Sequence, residues 1–486
     1  LAPVPRPPGG RLPLSVAQEQ MWALEAAADP PGLFNVTALH RFDRPVDEGA
    51  LRDALAYLVE RHEILRTAFV VESGRPWQAV APSAPVELAV TDLAATPAPE
   101  RDEELQRLIA EADARPFDLA RPPLVRAHLF HLDDNSSALA VTMDHLVTDG
   151  TSASIFMNEL GAAYDAITAH RLPELPPLDI QFADFAVWQR SHVTEEVLER
   201  QLEWWAKALD AMPLGPAVPF DRVPPKPTRR IASQALAVTA DTRRRLDDVA
   251  RGTGSTVFIV AVAGVQAVLG RCGGTTDVVV STTLSGRTRA ELEGLLGMFA
   301  GIGRIRTDLS GDPSFTEIVE RTREHVLGMF ENQDVPFIRV RRALLPDFPS
   351  GGVDLLAALP VELQYFFHTG RATWGRSSVA GERRRGYWHD QELFFRGQLH
   401  PLSITLLDDG SELSGGISYK VDFYDPETID RLAGDLERVL DAVAGDPSLR
   451  WSELPVTPPA PSRPPAPPPG PARPPSAPRT RRPPGG

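Results

Sequence analysis

Leu51, Ala54, Leu55, Leu58 and Val59 recur at intervals of one, three and four, which predicts an amphipathic helix ending near Arg61 and His62. The apolar-rich run 64–71 that follows reads as a strand. Positions 137–143, Ser-Ala-Leu-Ala-Val-Thr-Met, predict another strand. In 152–167 the residues Ile155, Phe156, Leu160, Tyr164 and Ile167 fall near helical spacing. Further along, 256–269 predicts a long apolar helix and 277–283 a buried strand. A last helix over 428–444 carries Ile429, Leu432, Leu436, Val439 and Leu440 on one face. Prolines at 173, 176 and 177 break the pattern between two mixed α/β stretches of similar size. The expectation is an N-terminal lobe over 11–175 and a C-terminal lobe over 176–456.

Length agrees with that division, because 486 residues exceed what one ordinary core organises. The hydrophobic share of 42% and charged share of 24% are those of a soluble globular protein. No apolar stretch has membrane-spanning length and no leader pattern opens the chain. The single cysteine, Cys272, excludes a disulfide framework or a thiolate-built metal site and fits a reducing cytoplasm. A net charge of −15 argues against nucleic acid as a partner. Residues 457–486 hold five arginines and no acid, so the remainder carries −20. This proline-dominated tail, like the Pro-rich opening 1–10, has little to bury and is expected to be disordered.

Candidate chemistry concentrates in Asp144-His145-Leu146-Val147-Thr148-Asp149-Gly150, at the turn between a predicted strand and a predicted helix. Such a turn exposes side chains at the mouth of a fold, where a histidine can meet a substrate. His-x-x-x-Asp alone is a weak signal, equally compatible with a locally bonded loop histidine.

Several segments in order make it stronger. Leu12 to Gln18 with Trp22, Arg61-His62-Glu63-Ile64-Leu65-Arg66-Thr67-Ala68-Phe69, and the Asp144 to Gly150 loop resemble the first three motifs of the condensation domains of nonribosomal peptide synthetases. Phe182 to Gln189, Gly297-Met298-Phe299 with Arg304-Ile305-Arg306, and Asn332-Gln333-Asp334-Val335-Pro336-Phe337 are similar to the next three. Leu363-Gln364-Tyr365 stands where a seventh belongs. The resemblance implies two chloramphenicol-acetyltransferase-like lobes in a V, with a tunnel between them. It also implies an acyltransferase joining a carrier-bound acyl or aminoacyl thioester to an acceptor amine. Substrates would ride on the phosphopantetheine of peptidyl or acyl carrier proteins. No metal or other intrinsic cofactor is implied, and the chain carries no Walker loop or dinucleotide fingerprint.

By that resemblance His145 carries the chemistry, as base or as orienter of the amine. Gly150 lets the backbone approach the thioester and offer its N–H to an oxyanion. Asp149 is expected to turn from the tunnel and pair with Arg287, while Ser152 and Gln364 are candidates to line the substrate path. Arg61, His62 and Arg66 read as structural, at a helix end. Arg383, Arg384 and Arg385, beside Tyr387 and Trp388, are carrier-contact candidates in an otherwise acidic body.

Asp144 departs from the family pattern, whose usual form has histidine there. Asp144, Asp149 and Ser152 also fit the Asp-x-x-x-x-Asp-x-x-Ser of heterocyclisation domains, although His145 and Gly150 favour ordinary condensation. An ester-forming O-acyltransferase and a non-catalytic recruitment domain on the same fold are further alternatives. For Asp144 a structural role is preferred over one in tuning His145.

Overall fold

The computed structural model describes residues 2–5, 10–26, 28, 31–133, 135–228, 230–344, 352–367, 391–395 and 399–457. The expectations for the tail and for Arg383 to Arg385 lie outside the described residues. In the first half, β1 (Asn35–Phe42), β2 (Thr67–Glu72), β3 (Arg75–Val80), β4 (Glu87–Asp92), β5 (Val125–Asp133) and β6 (Ser136–Asp144) are followed by the helix Gly150–Thr168. The second half supplies β7 (Ile231–Val238), β8 (Asp277–Leu284), β9 (Gly301–Asp308), β10 (Val361–Phe367), β11 (Gln391–Phe395), β12 (Leu402–Asp408) and β13 (Leu413–Lys420). One sheet runs β11-β1-β6-β5-β4 and another β7-β13-β12-β10-β8-β9, with β2 and β3 as a separate hairpin.

β6, buried from Ser137 onward, carries the chain into the 144–150 turn, and the helix that follows buries Phe156, Met157 and Leu160 in the first core. Helix Val257–Gly273 is the centre of the second core and is buried along most of its length. At Gly264 a Cβ would stand 2.7 Å from Leu440, so its absence lets the helix Pro426–Gly445 pack closely. Side chains cap these helices as expected for Ser, Thr and Asp: Thr256 accepts from the Ile259 N–H, and Ser314 forms a reciprocal box with Glu317.

Two expectations shift. Residues 63–66 form a 3-10 turn before β2 begins at Thr67, because the Thr67 hydroxyl bonds the Glu63 carbonyl and the Leu65 N–H bonds His62. The division of the cores also falls later than residue 175. Ile180, Phe182 and Phe185 pack in the first core, and Trp205 in the second. The helix Gly150–Thr168 ends in a turn at the left-handed His170, where the His170 and Arg171 N–H groups bond the Ile167 and Ala166 carbonyls, and the prolines at 173, 176 and 177 lie beyond it without ending the packed surface. Nor is the division a single cut: Leu292 to Phe299 return to the first core, and β11 joins the first sheet beside β1.

Candidate functional site

The turn after β6 is held from beneath. Gln18, on the helix Val16–Ala26, donates to the Leu146 carbonyl, and the Asp144 carboxylate accepts the Leu146 N–H at 2.9 Å. His145 donates its Nδ1–H to the Thr148 carbonyl at 2.7 Å, which leaves the basic lone pair on Nε2. Burial lowers the His145 pKa, against the opposing pull of the Thr148 carbonyl and the charge of Asp149, so the ring is neutral at neutral pH.

Asp149 ends the turn and caps the helix that starts at Gly150, accepting the Ser152 N–H at 2.7 Å. Its carboxylate also takes both Nη atoms of Arg287, at 3.0 and 3.2 Å, and the Phe299 N–H at 3.1 Å. The side chains of this ion pair are 5% and 2% exposed. The Arg287 guanidinium lies 4.3 Å from the centre of the Phe299 ring. The expected Asp149–Arg287 pair is therefore present, with its charges hydrogen-bonded and away from solvent.

Ser152 is a correction. Its hydroxyl is buried, donates to the Gly297 carbonyl at 2.8 Å and accepts from Arg287 at 2.8 Å and from the Gly297 N–H at 3.1 Å. A hydroxyl so occupied belongs to the strut between the lobes and not to the substrate path. Gly297 is part of the same fit, since its φ is +152° and a Cβ there would fall 1.9 Å from the Phe182 ring.

Gly150 faces the second half. A Cβ on it would lie 3.2 Å from Cε1 of Phe366, which fixes which surface of β10 looks toward the His145 turn. Alternation puts Glu362, Gln364 and Phe366 on that surface, while Val361 and Leu363 enter the second core. Gln364 is half-buried there.

Asp144 is buried at the end of β6. Burial pushes its carboxyl up to about 6, and the Leu146 N–H and the charge of Arg126 act against that rise. Glu25, at the end of the first helix, carries no signal in the sequence. It rises to about 8, by burial first and then by the proximity of Asp144, and its Oε1 has no partner among the described residues. Arg61 and His62 are bound to Glu159 at 2.6–3.1 Å and serve the first lobe internally.

The sequence model of the condensation domain matches residues 9–463. Phosphinothricin tripeptide synthetase PhsC of Streptomyces viridochromogenes is 34% identical over 458 residues, covering 93% of this chain and 41% of that protein. Chondramide synthase cmdD of Chondromyces crocatus is 32% identical over 456 residues, covering 93% and 11%. The chain thus spans a minor part of either relative's length. Among solved structures, the X-domain in its complex with OxyB from teicoplanin biosynthesis aligns with a TM-score of 0.74 at 30% identity, over 94% of this chain and 98% of that one.

Proposed function

The chain belongs to the condensation-domain family, and on that premise we propose that it joins a carrier-bound acyl or aminoacyl thioester to an acceptor amine. The nitrogen attacks the thioester carbonyl, a C–N bond forms, the tetrahedral oxyanion collapses and the C–S bond breaks. The thiol leaves carrying a proton that the amine has lost. His145 Nε2 takes that proton, or holds the amine so that its lone pair meets the carbonyl. The oxyanion is met by the backbone N–H groups that open the helix Gly150–Thr168. The observation that carries the reading is the neutral, tautomer-fixed His145 beside a helix start that touches the opposite lobe through Phe366. Asp149 and Arg287 hold that geometry and take no part in the proton transfer. Phosphopantetheine arms of peptidyl or acyl carrier proteins bring both substrates, and the site is cytoplasmic.

The test is to incubate the full chain with one acyl-loaded carrier and a panel of free amines, alcohols and carrier-bound aminoacyl acceptors. Amide product that His145→Ala lowers by roughly 10²–10⁴ supports the reading. Ester product alone points to an O-acyltransferase. A thiazoline or oxazoline product points to heterocyclisation. A second reading, recruitment of a partner enzyme without catalysis, is favoured by the 30% identity to an X-domain solved with a bound partner. Tight carrier binding with no product would select it.

A further inference from the structure

Two carboxyls come together where β6 enters the His145 turn, Asp144 at the end of that strand and Glu25 at the end of the first helix. Asp144 is 2% exposed and stands directly opposite Asn35 of β1. Glu25 occupies the last turn of the helix Val16–Ala26 and is half-buried, and its Oε1 has no hydrogen-bond partner among the described residues. It lies close enough to Asp144 for that charge to act on it.

Positive charge is scarce around the pair. Arg126 of β5, opposite Thr142, is one diagonal step from Asp144 and attracts it. The same guanidinium also answers to Asp113 and Glu87. Other charged groups on the surrounding elements are engaged elsewhere. Arg190, on the helix Phe182–His192 that packs on the first helix, pairs with Glu19 at 2.7 Å, and Arg115 pairs with Glu87 at 3.3 Å. Asp184 bonds the Gln181 N–H, and Asp113 accepts from Thr37 at 2.8 Å. Asn35 turns its amide N–H groups to the carbonyls of Asp113 and Arg115, which leaves its Oδ1 as a buried acceptor without a donor among the described residues.

With both carboxyls ionised, a negative charge would stand uncompensated in this partly dry region. The helix end works in the same direction. Its last turn is the negative end of the helix dipole, and it carries no basic residue there. Of the two, Asp144 gives up its proton first, at about 6, because the Leu146 N–H and Arg126 serve its charged form. Glu25 keeps its proton up to about 8, by burial and then by the charge of Asp144.

The helix that ends at Glu25 also supports the turn. Gln18 is fully buried and donates to the Leu146 carbonyl at 3.0 Å, while Asp144 accepts the Leu146 N–H at 2.9 Å. Residue 146 follows His145 directly, so both supports act on the backbone that aims the imidazole. We propose that Glu25 is a positioning residue, whose proton lets the end of the first helix stay against Asp144 and so keeps Gln18 on the turn that carries His145. Loss of that proton sets two carboxylates against each other and loosens the support. The inference rests on the condensation reading for its activity readout.

Measuring kcat with saturating carrier-bound substrates from about pH 6.5 to 9.5 tests it. The wild type should lose about tenfold in kcat with a midpoint near 8, at little change in KM. Glu25→Gln, neutral at every pH and of the same shape, should leave kcat at pH 7 within about twofold and abolish the fall. Gln18→Met removes the support itself. It should lower kcat about tenfold already at pH 7, and adding Glu25→Gln to it should change nothing further. Superimposable profiles for wild type and Glu25→Gln overturn the proposal. An equal loss at every pH in Glu25→Gln overturns it too, as does an alkaline fall that Gln18→Met leaves untouched. Hydrogen exchange of the 16–26 amides needs no turnover, and comparing the two chains at one pH cancels the intrinsic rate. Wild type and Glu25→Gln should agree at about pH 7, and the wild type should exchange about fivefold faster at about pH 9. That difference in a chain that forms no amide would refute the condensation reading alone. Amide formation without the difference would refute the role of Glu25 alone.

Discussion

His145 donates from Nδ1 to the Thr148 carbonyl, so any base chemistry at this residue belongs to Nε2. Burial lowers its pKa, and in the proposed mechanism the neutral ring is the form that acts. Turnover should therefore persist as pH falls through the range in which an exposed imidazole protonates, and fail only below that range. A pH profile of kcat/KM checks this; an acid limb at or above the ordinary imidazole value would contradict it. Asp144 behaves oppositely. Its folded pKa, about 6, lies above the unfolded carboxyl value, so the folded state holds the proton more tightly. Stability from this group is present in acid and is lost as pH rises toward 6. Asp144→Asn keeps an acceptor for the Leu146 N–H and removes the buried charge. It is expected to stabilise the protein by about 3 kcal/mol at pH 8 and by about 1 kcal/mol at pH 4.5, with activity retained. Denaturant titrations at the two pH values, with the condensation assay alongside, measure both.

At the scale of elements, the strut between the helix Gly150–Thr168 and the 285–299 segment fixes where the His145 turn sits. Removing either partner of the Asp149–Arg287 pair strands a buried charge, so Asp149→Ala and Arg287→Ala should each cost about 3–5 kcal/mol. The double variant should cost clearly less than their sum, because no lone charge remains; a double-mutant cycle in urea reads the coupling. Additive losses would mean that the two side chains stabilise the fold independently. Gly297→Ala is a severe change for a different reason: its Cβ would enter the Phe182 ring, and the strut and the first core would both have to move. Ser152 shows why spacing misled at this position. It sits in the first turn of the helix beside the proposed reaction site, yet its hydroxyl points across to Gly297 and Arg287.

Over the whole molecule the two halves complete each other. β11 from the second half extends the first sheet, and Leu292, Leu295, Leu296, Met298 and Phe299 fill the first core. A fragment of residues 1–192 would lack these and expose the apolar surface that they cover, so it should fail to give a cooperative unfolding transition. The full chain should unfold in one calorimetric transition, and two well-separated ones would show the lobes to be independent. No single described helix is long and apolar enough to cross a membrane.

Hydrophobic periodicity by itself determined the principal elements: 137–143, 152–167, 277–283 and 428–444 lie within a residue or two of observed strands and helices, and 256–269 stops four residues short of the end of the helix Val257–Gly273. These segments bury one face or all of themselves, and burial is what periodicity records. The order of short motifs was also enough to name the family, and the resemblance implied the pairing of Asp149 with Arg287. Tertiary structure alone decided the rest. Ser152 and Gln364 look alike as candidates in sequence, and only the direction of each side chain puts Ser152 in the strut and Gln364 on the surface of β10 that carries Phe366. Glu25 and Asp144 likewise acquire raised pKa values from a shared buried environment, which composition and spacing do not encode.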